Sequence, residues 1–216
     1  MTVGPIFIRR FVVSPLQSNC YLVGCQETRE GIIIDPGDSC PDLEKAVNEM
    51  GLAIRYLLAT HGHFDHILGA RPFKTLFGAT FLMPEKDWSI AREADQQAFL
   101  FGWNAPPVPE PDGFLKEGDV LFFGHYRLEV WQTPGHSPGH LCFLLSLEPL
   151  HLFSGDLLFS GSVGRTDFPG GDPQAMKQSL KRILTLPEST IVHPGHGPET
   201  TIGQEKASNP FLAFEP

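Results

Sequence analysis

The sequence predicts an α/β fold, a layered protein with substantial mixed or antiparallel sheet. Two observations carry this reading. Short runs rich in Val, Ile, Leu, Phe and Tyr, bounded by Gly, Pro or Asp, recur along the whole chain, with stretches of helical periodicity between them. Gly and Pro supply 22 and 20 of the 216 residues, against about 12% for the two together in an average protein. The elements are therefore short and joined by many tight turns.

Strands are predicted over Ile6–Val13, Cys20–Val23, Ile32–Asp35, Tyr56–Ala59 and Thr80–Met83, then over Asp119–Phe123, Tyr126–Gln132, Leu141–Ser146, Leu150–Ser154 and Thr190–His193. Alternation is cleanest in Tyr126–Gln132, where Tyr126, Leu128, Val130 and Gln132 share one face. Helices are predicted between them. Pro41–Met50 has a first-turn Pro, Leu43, Ala46, Val47 and Met50 on one face, and Gly51 as its stop. His66–Phe77 is a second helix and Glu85–Phe101 a third, with Trp88, Ala91, Ala94 and Ala98 in register and Trp88, Phe99 and Phe101 read as core. Asp172 caps a helix that Pro173 opens and that runs to Leu186, with Met176, Leu180, Ile183 and Leu184 inward. A last short helix covers Gly203–Ser208.

Length is compatible with one or two domains. The one composition break, Asn104–Gly113, holds Pro106, Pro107, Pro109 and Pro111 and reads as a stiff loop between two halves that share a core. Residues 1–216 are thus expected to form a single domain. No apolar run approaches the roughly 20 residues of a membrane span, and Arg9 and Arg10 interrupt the early apolar run that a signal peptide would need. Cys20, Cys25, Cys40 and Cys142 show no CxxC spacing, so reduced thiols and a cytoplasmic location are expected. The net charge of −9 disfavours a nucleic-acid partner.

The chemistry sits in the turns. Thr60-His61-Gly62-His63-Phe64-Asp65-His66 follows a strand and opens a helix. Gly62 is expected to bend the loop so that His61 and His63 face one centre, with Asp65 and His66 facing another. No thiolate accompanies them, which favours a hydrolytic or redox metal site over a structural one. The same local design recurs at Pro134-Gly135-His136, at Gly155-Asp156 and at Pro194-Gly195-His196-Gly197, each after a strand. Taken alone, each of these three is an ordinary turn residue. Together with the dense histidine motif they predict a metal centre at strand C-terminal ends, where open α/β sheets bind ligands.

These motifs, with Ile32-Ile33-Ile34-Asp35-Pro36-Gly37 upstream, resemble the metallo-β-lactamase superfamily over nearly the whole chain. The resemblance implies an αββα four-layer sandwich of mixed sheets. It also implies one metal ion on His61, His63 and His136, a second on Asp65, His66 and His196, and Asp156 shared between them. Two divalent ions about 3.5–4 Å apart can share a bridging hydroxide at neutral pH and clamp attacking and leaving oxygens. Zinc is the first expectation and iron or manganese the alternatives, since His/Asp sites accept all three. Asp65 and Asp156 would also orient the water.

Within the superfamily, Gly161-Ser162-Val163-Gly164-Arg165-Thr166-Asp167-Phe168-Pro169 and Asn209-Pro210-Phe211 resemble glyoxalase II in its compact bacterial branch. That implies hydrolysis of an acyl thioester, S-acylglutathione of the S-lactoylglutathione type foremost. The C-terminal helical glutathione-binding domain of full-length glyoxalase II has no counterpart after His196 in this sequence. Arg165 either holds a substrate carboxylate or pairs with Asp167 in its own loop. Asp35 and His140 are read as supports behind the ligands, against a turn aspartate and a core histidine; His193 is equally open. The rival readings are a mono-iron persulfide dioxygenase and a hydrolase of lactones or other esters.

Overall fold

The computed structural model describes residues 5–213. Strands β1 (Ile6–Val13), β2 (Ser18–Cys25), β3 (Glu30–Ile34), β4 (Ala53–Leu58), β5 (Thr80–Pro84) and β6 (Gly113–Leu115) form one sheet in chain order. Pairing is antiparallel from β1 to β3 and parallel from β3 to β6. A second sheet holds β7 (Val120–Phe123), β8 (Tyr126–Gln132), β9 (Leu141–Leu145) and β10 (His151–Gly155). After a small hairpin of β11 (Leu158–Phe159) and β12 (Ser162–Val163), it is completed by β13 (Ile191–Pro194), parallel to β10, and β14 (Thr200–Thr201).

Three apolar layers hold the sheets and helices together. Between the sheets, Tyr21, Val23, Ile32 and Ile34 meet Leu128, Val130, Phe143 and Phe153. Outside the first sheet, α1 (Pro41–Met50), α2 (Phe64–Ile67), α3 (Ala70–Phe77), α4 (Trp88–Ala91) and α5 (Ala94–Leu100) bury Leu43, Val47, Ile67, Phe73 and Ala98. Outside the second, α6 (Pro173–Ile183) and α7 (Ile202–Ser208) bury Met176, Leu180, Ile183 and Ile202. Each such Leu or Ile contributes roughly 1.5–3 kcal/mol. Helix, sheet, sheet and helix layers follow, as the resemblance implies.

Several elements differ from expectation. The helix predicted over 66–77 is two. It begins at Phe64, so Asp65 and His66 lie inside its first turn, and it breaks where Gly69 N–H turns away to the Pro36 carbonyl at 2.7 Å. The helix predicted over 85–101 is a 3₁₀ turn over Glu85–Asp87 followed by α4 and α5. Only Ala94 and Ala98 of α5 face the core, so Phe99 and Phe101, expected as core, are 68% and 63% exposed. Strand β3 ends at Ile34, one residue early, because Asp35 adopts the left-handed region (φ 51°). The short strands β6, β11, β12 and β14 carry too little pattern to be read in sequence. The proline-rich segment leads into β6 at the far edge of the first sheet, close to where the chain passes to the second. No helix among the described residues is long and apolar enough to cross a membrane.

Candidate metal centre

Four strand ends converge on one rim of the sandwich. β4 runs into His61, β8 into His136, β10 into Asp156 and β13 into His196. The hairpin end of β2 joins them, with Asn19 N–H bonded to the Gly195 carbonyl at 2.7 Å. The donor atoms of His61, His63 and His136 lie within 4.8 Å of one another, as do those of His61, His66 and Asp156 and those of Asp65, His66 and His196. All residues predicted as ligands are thus brought to one place, in overlapping groups with Asp156 among the central ones.

The partners behind the rings determine which imidazole nitrogens carry lone pairs. Thr60 Oγ1 gives its hydrogen to Asp35 Oδ2 (2.8 Å), so at His61 Nδ1 (3.0 Å) it accepts. The proton of His61 is therefore on Nδ1. Its Nε2 is buried and has no hydrogen-bond partner. His136 Nδ1 faces the Arg165 carbonyl (2.8 Å), which can only accept, so His136 Nε2 also bears a lone pair. His66 Nδ1 donates to Asp35 Oδ2 (3.1 Å), turning Nε2 toward Asp65 Oδ2 (3.4 Å), Asp156 Oδ1 (3.5 Å) and His196 Nε2 (3.3 Å).

Electrostatics follow from this crowding. Burial and then the neighbouring histidines hold His61 well below its usual pKa, and burial with His136 brings His63 down to about 4. Burial alone would also deprotonate His66, but Asp65, Asp156 and Asp35 outweigh it and push that ring up to about 10. Burial works against the Asp65 carboxylate too, yet His66 and His196 hold it well below the usual range. Asp156 Oδ1, like His61 Nε2, is buried without a hydrogen-bond partner. An unpaired buried acceptor costs about 1–3 kcal/mol. Two such atoms, in a cluster of imidazole nitrogens and carboxylates with no thiolate, fit divalent cations.

Supporting contacts are built from both sheets. Asp35 accepts from Thr60 N–H (2.7 Å) and Thr60 Oγ1, as well as from His66. His140 lies behind Asp156: its Nε2 accepts the Asp156 N–H (3.1 Å), so its proton is on Nδ1, directed at Thr133 Oγ1 (2.9 Å). Burial lowers the pKa of this ring, in keeping with the neutral form. Arg165 pairs with Asp167 through Nε and Nη2, both at 2.6 Å, and lies over Phe168, whose ring meets His63. His193 points away from the cluster and bridges His151 (2.8 Å) and Glu199 (3.1 Å).

Sequence reading assigned no role to Ser18, whose Oγ donates to Asp65 Oδ2 (3.0 Å), or to the fully buried Asp87. Ser18 hides in a strand and Asp87 opens a helical stretch, where an aspartate reads as a cap. Nor does Gly62 bend the loop through a left-handed φ. It is glycine because a Cβ would stand 2.6 Å from the Asp87 carbonyl oxygen.

Two facing mixed sheets between helices, with a His/Asp cluster at the strand ends, define the class of protein. The model of the metallo-beta-lactamase superfamily matches residues 13–196, and the chain belongs to that superfamily, whose members are generally metal-dependent hydrolases. Among its relatives is the hydroxyacylglutathione hydrolase GloC of Haemophilus influenzae, 39% identical across 93% of this chain and 95% of that protein. The mitochondrial persulfide dioxygenase ETHE1 of Homo sapiens is 31% identical across 98% of this chain and 78% of its own. The crystal structure of TTHA1623 in a di-iron-bound form superposes with a TM-score of 0.84, 42% identity, and coverage of 94% of this chain and 100% of that one.

Proposed function

We propose that this chain is a two-metal hydrolase of acyl thioesters, with S-acylglutathione of the S-lactoylglutathione type its foremost substrate. The observation that carries the reading is the presence of two ligand groups, His61–His63–His136 and Asp65–His66–His196, with Asp156 close to both. The similarity to GloC over nearly full length supports the substrate class. In this reading residues 1–216 act as one domain, and zinc is the first expectation for the metal. A di-iron form of a related structure keeps iron in view, with manganese the third choice.

Bound ions of this kind supply Lewis acidity to the acyl carbonyl and lower the pKa of water toward neutrality. The chain's residues do the rest. Asp65 and Asp156 orient the attacking water through their carboxylates, and Ser18 Oγ holds Asp65 in place. Asp35, Thr60 and the Arg165 carbonyl keep the imidazole protons on the outer nitrogens. A thiol of ordinary pKa, about 8.5, departs as a thiolate, so the reaction asks for no separate acid. On the rim, Arg165 retains Nη1 beyond its pairing with Asp167, and we assign this nitrogen to an anionic end of the thiol carrier.

Metal analysis and thioester hydrolysis on one preparation test the proposal. The expected result is two ions per chain and turnover of S-lactoylglutathione. Two bound ions with hydrolysis only of lactones or other esters would overturn the substrate class. The likeness to ETHE1 favours one other reading, a mono-iron persulfide dioxygenase. It leaves Asp65, His66 and His196 without a role, and oxygen uptake with glutathione persulfide at one iron per chain would establish it instead.

A further inference from the structure

Outside the cluster, a second buried acid with three hydrogen bonds, besides Asp35, is Asp87, in the 3₁₀ turn before α4. Its Oδ2 accepts Gly62 N–H (3.0 Å) and Ser137 Oγ–H (2.5 Å), and its Oδ1 accepts Gly139 N–H (2.6 Å). Gly62 is the residue between His61 and His63. Ser137 follows His136, and Gly139 closes the same turn. One carboxylate therefore ties the two loops that carry His61, His63 and His136, although these loops come from different sheets. Contact is so close that a Cβ on Gly139 would stand 2.7 Å from Asp87 Oδ1, as one on Gly62 would crowd the Asp87 carbonyl.

The other ligand group is held by different residues. Asp35 fixes His66, Ser18 fixes Asp65, and the β2 backbone with Asn19 fixes the His196 loop through Gly195 and Gly197. No hydrogen bond of Asp87 reaches these residues. His61 has one further support, Thr60, and His136 has the Arg165 carbonyl, but both act on a single ring. A backbone bond from Leu141 N–H to the Thr60 carbonyl (2.8 Å) joins the strand ends nearby, and His63 Nδ1 meets His136 Nε2 (2.9 Å), but Asp87 is the support that grips both loops next to the ligands, at Gly62 on one and at Ser137 and Gly139 on the other.

We infer that Asp87 is a positioning residue for one half of the centre: it holds the His61–His63–His136 group together across the two sheets and leaves the Asp65–His66–His196 group to other supports. The inference rests on the two-metal reading of the site and is independent of the substrate. Removing a residue that supports metal ligands typically weakens metal binding about 10–100-fold. Here that loss falls on one ion of the two.

The test is competition titration of metal-free protein with cobalt(II), followed by crystallography with anomalous scattering from cobalt at one equivalent. Wild type is expected to bind two ions. Asp87→Asn, which keeps the size but sets a donor against a donor, is expected to bind one ion with unchanged affinity and the other at least tenfold more weakly. The retained ion lies at Asp65, His66 and His196, and the visible cobalt spectrum loses the component of the other site. Asp87→Glu, which restores the charge, recovers part of the lost affinity. Equal weakening of both ions in Asp87→Asn, or no weakening, overturns the inference. Wild type that binds fewer than two ions overturns the two-metal reading instead. Asp87→Ala is a harsher variant, and if it does not fold, Asp87→Asn and Asp87→Glu still decide the question.

Discussion

Asp35→Asn separates the role of a supporting carboxylate in stability from its role in presenting a ligand. Asp35 is 2% exposed and accepts three hydrogen bonds. Asparagine has the same size and tolerates the left-handed backbone found there. Its Oδ1 still accepts Thr60 N–H, and the reverse orientation would set NH₂ against that N–H. The amide nitrogen therefore replaces Oδ2, facing Thr60 Oγ1 and His66 Nδ1. Thr60 can accept from it. His66 can do so only by moving its proton to Nε2, the nitrogen directed at Asp65, Asp156 and His196. A protonated Nε2 is no ligand.

Losing one hydrogen bond to a charged group costs about 1.5–3 kcal/mol of stability. The wrong tautomer weakens metal at the Asp65–His66–His196 side by about 10–100-fold, or about 1.4–2.8 kcal/mol of binding. Urea unfolding of the metal-free protein reads the first quantity and metal titration the second. Asp35→Ala goes further: it strains the left-handed residue and leaves Thr60 N–H unpaired, for about 3–5 kcal/mol in all. Wild-type affinity for both ions in Asp35→Asn would refute the tautomer argument, whatever the change in stability.

Further expectations concern single residues. His63→Ala should lower bound metal and abolish thioester turnover with a near-native thermal melt, because His63 is only partly buried and its loss opens no core cavity; metal content and circular dichroism check this. Arg165→Gln should raise KM for an anionic thioester about tenfold with kcat unchanged, and leave a neutral thioester unaffected. Glu205 is buried and accepts from Gly161 N–H (2.9 Å), Thr200 Oγ1 (2.6 Å) and Asn209 Nδ2 (2.7 Å), so Glu205→Ala should cost about 3 kcal/mol in urea melts. Glu117 takes two hydrogen bonds from Arg182 and one from Gln132 N–H, which hold its carboxyl below the usual range. A depressed folded pKa gives stability that is present above the unfolded value and is lost as pH falls through the folded one. The pair is about half exposed, so Glu117→Gln should cost less than about 1 kcal/mol at pH 7, and the gap to wild type should close on acidification.

The candidate ligands were legible for a geometric reason. Each of His61, His136, Asp156 and His196 follows the end of a strand within a few residues, on a turn marked by Gly or Pro. Strand pattern locates the strand, and the turn residue locates the ligand. Strand periodicity likewise located β8, whose Tyr126, Leu128 and Val130 are buried between the sheets. The helical breaks at Gly69 and between Ala91 and Ala94 were not legible, because local apolar spacing continues across them. What ends these helices is a distant carbonyl or a tightened turn. Exposure of Phe99 and Phe101 escaped for the same reason: a short helix presents one narrow face to the core, and the spacing alone does not say which.

The supports were illegible on different grounds. Asp87 and Ser18 act through contacts that cross from one sheet or loop to another, 50 positions along the chain for Asp87 and Ser137 and 47 for Ser18 and Asp65. No local pattern encodes such a contact. Their burial is nonetheless what gives them weight. A carboxylate with no exposure must find donors, and here the donors are the backbone N–H groups of the ligand loops themselves. The same interaction that satisfies the buried acid thereby fixes the loop. Asp35 does this for the Thr60 N–H as Asp87 does for Gly62 and Gly139. Loops rich in Gly and Pro, left to themselves, would hold histidines loosely. Two buried acids placed behind them hold the loops in place, Asp35 at Thr60 and His66 and Asp87 at Gly62, Ser137 and Gly139.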